Sequence, residues 1–161
     1  MEKELSEKEL LLKGKKRALR LLERKDYTRK ELTDRLYKDG YEELIIEQII
    51  AYVDSFHYLD DSRVAGSYIR TRKDHKSKRE LEYLLKQKGI SKEEIEQALE
   101  ENYKTEDGTK QEEFAIVKQL KKIRIEEQQL EAMTYEEKQK IAAKLYRKGF
   151  EQESIRKVLG M

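Results

Sequence analysis

The sequence predicts an all-α protein built as three tandem three-helix repeats that form an elongated, curved array. Three observations carry that expectation. The chain of 161 residues contains no Pro and only seven Gly, so helix interiors run uninterrupted and turns are few. Charged residues make up 43%, yet the net charge is only +2, as long water-facing helices with both signs on their outer faces require. Finally, one apolar template recurs three times around a Gly.

The template places apolar residues at −8, −4, +1, +6, +9 and +10 from Gly40, Gly89 and Gly149. In the first copy these are Leu32, Leu36, Tyr41, Ile46, Ile49 and Ile50. The second has Leu81, Leu85, Ile90, Ile95, Ala98 and Leu99, and the third Ile141, Leu145, Phe150, Ile155, Val158 and Leu159. The −8/−4 pair is one stripe of a helix, and Gly supplies the positive φ that ends it. The residue after Gly folds back on that helix, and the remaining set lines a second, short helix. Each copy is therefore an αα-hairpin.

Helix starts are marked by Ser or Thr followed three residues later by Glu, the capping-box pattern. It occurs at Ser6/Glu9, Thr28/Glu31, Ser77/Glu80, Ser91/Glu94, Thr109/Glu112 and Thr134/Glu137. An upstream helix completes each unit. Its stripe is Ala18, Leu19, Leu21 and Leu22 in the first unit; Val64, Ala65, Tyr68 and Ile69 in the second; Phe114, Val117, Leu120 and Ile123 in the third. The units cover 13–54, 60–101 and 109–161, after a helical N-terminal segment, 1–12. The third unit is about ten residues longer between its first helix and its Gly, which predicts a longer helix or loop there. A unit of some 45 residues buries a thin core, so neighbouring units are expected to lean on one another.

The composition excludes several chemistries. There is no Cys, hence no disulfide, thiolate nucleophile or cysteine-ligated metal. His57 and His75 lack the spacing of a helical metal pair. No phosphate-binding Gly loop and no nucleophile elbow is present. Asp60-Asp61 reads as acids complementing a helix start rather than a catalytic pair. The sequence thus predicts no enzyme and no catalytic, cofactor-binding or metal-ligating residue. With no signal-like or membrane-length apolar run, it predicts a soluble, cytoplasmic monomer without a membrane partner or a small-molecule substrate.

Charge is segregated along the chain. Arg70 to Lys88 holds eight Lys or Arg against three acids, whereas Glu93 to Asp107 holds seven acids against one Lys. The basic stretch either faces a polyanion or is simply the solvated face of charged helices. The ten Tyr are spread over all units and read mostly as core–surface boundary residues, with base stacking or interface anchoring as the other reading.

The run from Tyr58 to Arg72, YLDDSRVAGSYIRTR, resembles the central signature of the RecX family, bacterial regulators of the RecA recombinase. Asp61, Arg63, Ala65, Tyr68 and Arg70 match that signature position by position. ALRLLERKDYTRKEL, from Ala18 to Leu32, resembles the family's first unit, and Arg147 to Phe150 its third-unit ending. The likeness covers residues 15–160. It departs where many members carry Gly-Pro, since this chain reads His75-Lys76-Ser77-Lys78.

The resemblance implies a negative regulator that binds the RecA–single-stranded DNA filament, in its groove or at its growing end. Binding there limits extension, ATPase, strand exchange and co-protease activity. Single-stranded or duplex DNA is a further partner on this reading. Arg70, Arg72, Lys73, Lys76, Lys78 and Arg79 are expected to form part of the filament- or DNA-facing surface. The rival reading is a helix-turn-helix-like DNA-binding protein with no recombinase partner.

Overall fold

The computed structural model describes residues 5–161, and the part of the 1–12 expectation that falls on residues 1–4 lies outside them. The described residues hold ten helices and no strand. The first unit contains α1 (Glu7–Arg24), α2 (Arg29–Lys38) and α3 (Glu43–Ser55). The second contains α4 (Asp61–Arg72), α5 (Lys78–Gln87) and α6 (Lys92–Asn102). The third contains α7 (Gln111–Lys122), α8 (Glu127–Ala132), α9 (Tyr135–Arg147) and α10 (Gln152–Leu159).

The Gly-centred template is reproduced in all three units. Gly40, Gly89 and Gly149 take φ of 96°, 81° and 96°, a region costly for any residue with a Cβ. Residues at −4, +6 and +10 are buried in every copy. Capping follows the Ser/Thr pattern at Ser6, Thr28, Ser77, Ser91 and Thr134, each accepting the N–H three residues on. Thr109 departs from it: the N-cap of α7 is Lys110, which makes no side-chain cap bond, and Thr109 instead bonds Asp107 in the preceding turn.

The third unit corrects two further expectations. Its extra length is neither a longer first helix nor a bare loop. α7 has 12 residues, as α4 has; a turn with Arg124 at φ 61° and the short helix α8 follow it. The inward stripe of α7 is also phased differently. Ala115, Ile116 and Leu120 are buried, while Phe114 (39%), Val117 (39%) and Ile123 (56%) remain exposed.

Each unit has its own apolar core. Ala18, Leu32, Leu36, Ile49 and Val53 anchor the first; Ala65, Ile69, Leu81, Leu85 and Ile95 the second; Ala115, Ile116, Leu120, Phe150 and Ile155 the third. The helix pairs that pack most closely lie inside units. The joints between units are polar. At the first, the fully buried Thr28 hydroxyl caps α2 and donates to the Lys88 carbonyl at the end of α5 (2.6 Å). At the second, the equally buried Ser77 hydroxyl donates to the Lys148 carbonyl at the end of α9 (2.7 Å). The middle helices α9, α5 and α2 are thereby strung end to end, each C-terminus meeting the next N-terminus with helix dipoles in favourable order. Such stringing produces length. The chain exposes 11451 Å², against about 8,500 Å² for a compact globule of its mass.

Candidate partner-binding surface

The stretch from Asp61 to Arg70 occupies α4, and its side chains work mainly within the array. Asp60 caps α4 by accepting the Arg63 N–H. Asp61 reaches across the first joint and accepts the Arg29 N–H at the start of α2 (2.9 Å). Burial raises its pKa above the usual carboxylate value, and the Arg29 N–H and charge offset that only in part. Arg63 spans the same joint to Asp26 (3.1 Å), and Ala65 is fully buried where α4 packs on α6. Tyr68 lies beneath two cations, with Arg72 3.7 Å and Lys88 5.3 Å from its ring centroid. Arg70 donates to Asn102 on α6 (2.8 Å).

Lys88 ties this region together. Its carbonyl receives Thr28, and its ammonium pairs with Glu31 (3.1 Å), the carboxylate that closes the α2 capping box. Burial pushes the Glu31 pKa up, but the Thr28 N–H and Lys88 outweigh it, and the net value lies below the ordinary one.

The six expected basic residues fall into three groups by what their side chains touch. Arg70 and Lys73 turn toward the end of the second unit, bonding Asn102 and the Lys104 carbonyl. Lys78 and Arg79 are exposed at the start of α5, where the Arg79 Cβ lies close to Gly149. Arg72 and Lys76 line a cleft at the joint of the second and third units, about 600 Å³ in volume.

That cleft is completed by residues the sequence did not point to. Lys122 comes from the end of α7, Lys144 from the last turn of α9 and Lys148 from its C-cap. Leu120, Ile123, Ile141 and Leu145 supply an apolar floor. Glu80 is the one carboxylate in the lining, and Lys76 already pairs with it (3.2 Å). Arg72, Lys122, Lys144 and Lys148 enter no ion pair among the described residues. Gln119 stitches the floor to both sides, donating to the His75 carbonyl and accepting from Lys148 (2.8 Å). A sequence signal for the third-unit cations existed: Lys144 and Lys148 are one turn apart, and Lys148 stands in the repeat where Lys88 does. Only the fold shows that they oppose Arg72.

No group of three or more His, Asp or Glu among the described residues is placed to hold a metal ion. No helix among them is long and apolar enough to cross a membrane.

Comparison with known proteins gives a consistent picture. Family models described as the first, second and third three-helix domains of RecX match residues 15–52, 60–99 and 115–159. The chain is 30% identical to the regulatory protein RecX of Clostridium botulinum (strain Alaska E43 / Type E3) over 98% of its own length and 72% of that protein's. It is 31% identical to the regulatory protein RecX of Caldanaerobacter subterraneus subsp. tengcongensis over 92% of this chain and 70% of that one. Among solved structures, RecX from Lactobacillus salivarius superposes with a TM-score of 0.74 at 26% identity, covering 93% of this chain and 94% of that one.

Proposed function

The chain belongs to the RecX family, and from that premise we propose that it restrains the RecA recombinase by lying against the RecA–single-stranded DNA filament, in its groove or at its growing end. The regulatory role comes with the family. The mode of action is our reading, and the observation that carries it is the pairing of an extended three-unit array with unpaired cations concentrated at one joint. An elongated body with small, separate cores offers a long contact line rather than an enclosed pocket, which suits a polymeric partner. The cations at the joint favour a surface rich in phosphate or carboxylate and steer its approach.

On this reading the chain performs no catalysis and acts in the cytoplasm, where the filament forms. It limits filament extension and with it ATPase, strand exchange and co-protease activity. The test is the ATPase of RecA from the same organism on single-stranded DNA, with this protein titrated in at fixed salt. Inhibition well below one copy per RecA protomer identifies filament ends as the target, and near-stoichiometric inhibition identifies the groove. An unchanged rate and filament length at saturating protein would refute the proposal.

A further inference from the structure

The joint that links the units leaves one half unused at each end of the array. It is made of a hydroxyl at the start of one middle helix, a carbonyl at the end of the next, and a Gly beside that carbonyl on which the incoming helix rests. A Cβ at Gly89 would strike the Lys30 side chain, and one at Gly149 would come within 2.7 Å of Ser77 Oγ. At the start of α9 the Thr134 hydroxyl is exposed and donates to no acceptor among the described residues. At the end of α2 the Asp39 carbonyl accepts no hydrogen bond among them, and a Cβ at Gly40 would meet nothing. Gly40 nonetheless has the same φ of 96° as Gly149. The array thus ends in a free donor on one side and an open seat on the other. Both ends also carry an exposed apolar side chain where the inner joints carry charge. Tyr135 (64%) stands at the position of Arg29 and Lys78, and Leu44 (71%) at that of Glu93 and Glu153.

We propose that these ends dock on each other between copies of the chain: the start of α9 in one copy seats on the end of α2 in a second, with Thr134 donating to the Asp39 carbonyl. The contact is heterologous, so copies add head to tail rather than pairing about a two-fold axis. Charge selects a second copy as the occupant. Glu136 and Glu137 open α9, and neither enters an ion pair among the described residues. Facing them in the docked pair, Arg35 and Lys38 fill the last turn of α2, and Arg17 joins Arg35 around Asp39 (2.9 and 3.7 Å), two guanidiniums on one carboxylate. Glu137 holds the place of Glu31, which Lys88 pairs with in the first joint. The dipoles of α2 and α9 then follow in the order that the inner joints already have. Asp39 stands where Lys88 and Lys148 do, so the joint between copies is weaker than the inner two and gains when copies are held close. The inference concerns the chain and its own copies, stands apart from the filament reading, and is measured without RecA.

The experiment is sedimentation velocity of the full chain from about 0.01 to about 0.5 mM, a range that reads dissociation constants up to the millimolar level. The intact chain is expected to gain mass steadily with concentration and not to stop at two copies. Gly40→Asn keeps the positive φ, which Asn tolerates, and fills the seat. Thr134→Asp keeps the α9 cap but replaces the donor with an anion. Each variant is expected to associate at least tenfold more weakly. Mixed in equal amounts, each retains the end that the other lacks, and the mixture is expected to form dimers and stop there. Gly108→Asn is the control, since Gly108 has a φ of 81° and open space around it in the loop before α7. Thermal melts establish that the variants remain folded, and either blocked end alone suffices to test the contact. Three results would overturn the inference: a single unchanging mass for the intact chain, an equal loss in the Gly108→Asn control, or a mixture of the two blocked variants that forms no dimer.

Discussion

The hydroxyl of Thr28 donates to the carbonyl of Lys88 at 2.6 Å, across sixty residues of chain, while accepting the Glu31 N–H. One side chain thus caps its own helix and closes a joint. Ser77 repeats both bonds with Glu80 and Lys148. Thr134, the corresponding cap of the third unit, is exposed and keeps only the bond within its helix.

Thr28→Val is therefore expected to cost more than Thr134→Val. Losing a cap costs about 1 kcal/mol. Leaving the Lys88 carbonyl without its partner adds about 1–2 kcal/mol at Thr28 alone. Urea denaturation of the two variants reads the difference directly, and equal midpoints would mean the inter-unit bond contributes nothing.

The glycines allow a similar comparison. Gly40 and Gly149 share a φ of 96°, but a Cβ at Gly40 meets nothing, whereas one at Gly149 comes within 2.7 Å of Ser77 Oγ and 3.3 Å of Arg79 Cβ. Gly40→Ala is expected to cost only the backbone penalty, about 1–2 kcal/mol. Gly149→Ala should cost more, because it also prises the second joint apart. Denaturant midpoints of the two variants decide it.

Glu112 is 4% exposed beside that joint, and its Oε2 has no hydrogen-bond partner. Burial raises its pKa above the ordinary 4.5, opposed mainly by the Lys78 N–H. A raised carboxylate supports folding when protonated, so its contribution is complete below the ordinary value and is lost as pH rises through the folded one. Glu112→Gln is accordingly expected to raise the melting temperature at pH 7 and to leave it unchanged near pH 3.5. A lower melting temperature at pH 7 would show that the charged form is needed.

Among the basic residues, the structure separates two pairs. Neutralising Arg72 and Lys76 is expected to weaken inhibition of RecA with little change in stability, since they line the cleft. Neutralising Arg70 and Lys73 is expected to lower stability instead, since they bond Asn102 and the Lys104 carbonyl. Paired ATPase and melting measurements distinguish these outcomes.

The repeat was legible because its signals are local: a Gly at the helix end, a four-residue apolar spacing and a hydroxyl at the start. The phase of α7 was not. Phe114 to Val117 are four consecutive apolar residues, so periodicity alone cannot choose the buried face, and packing against α10 selected Ala115 and Ile116. The polar joints were hidden for a related reason. Thr28 and Ser77 look like ordinary caps in sequence, and nothing local announces a partner carbonyl 60 or 71 residues away. The expectation that units lean on one another therefore holds in a form it did not specify, through hydrogen bonds rather than a shared apolar core. The cleft draws on three separate stretches of chain, and the basic run from Arg70 to Lys88 supplied only one wall of it.

Three separate cores linked by hydroxyl-to-carbonyl bonds also fix where the molecule can bend. Stiffness resides in the units, because deforming one disturbs close-packed side chains. Compliance resides at Thr28 and Ser77, where a change of angle strains a few hydrogen bonds and no core. Mechanically the chain is a short string of rigid links. It can follow a track whose pitch varies, paying at each hinge for only as much curvature as the track demands.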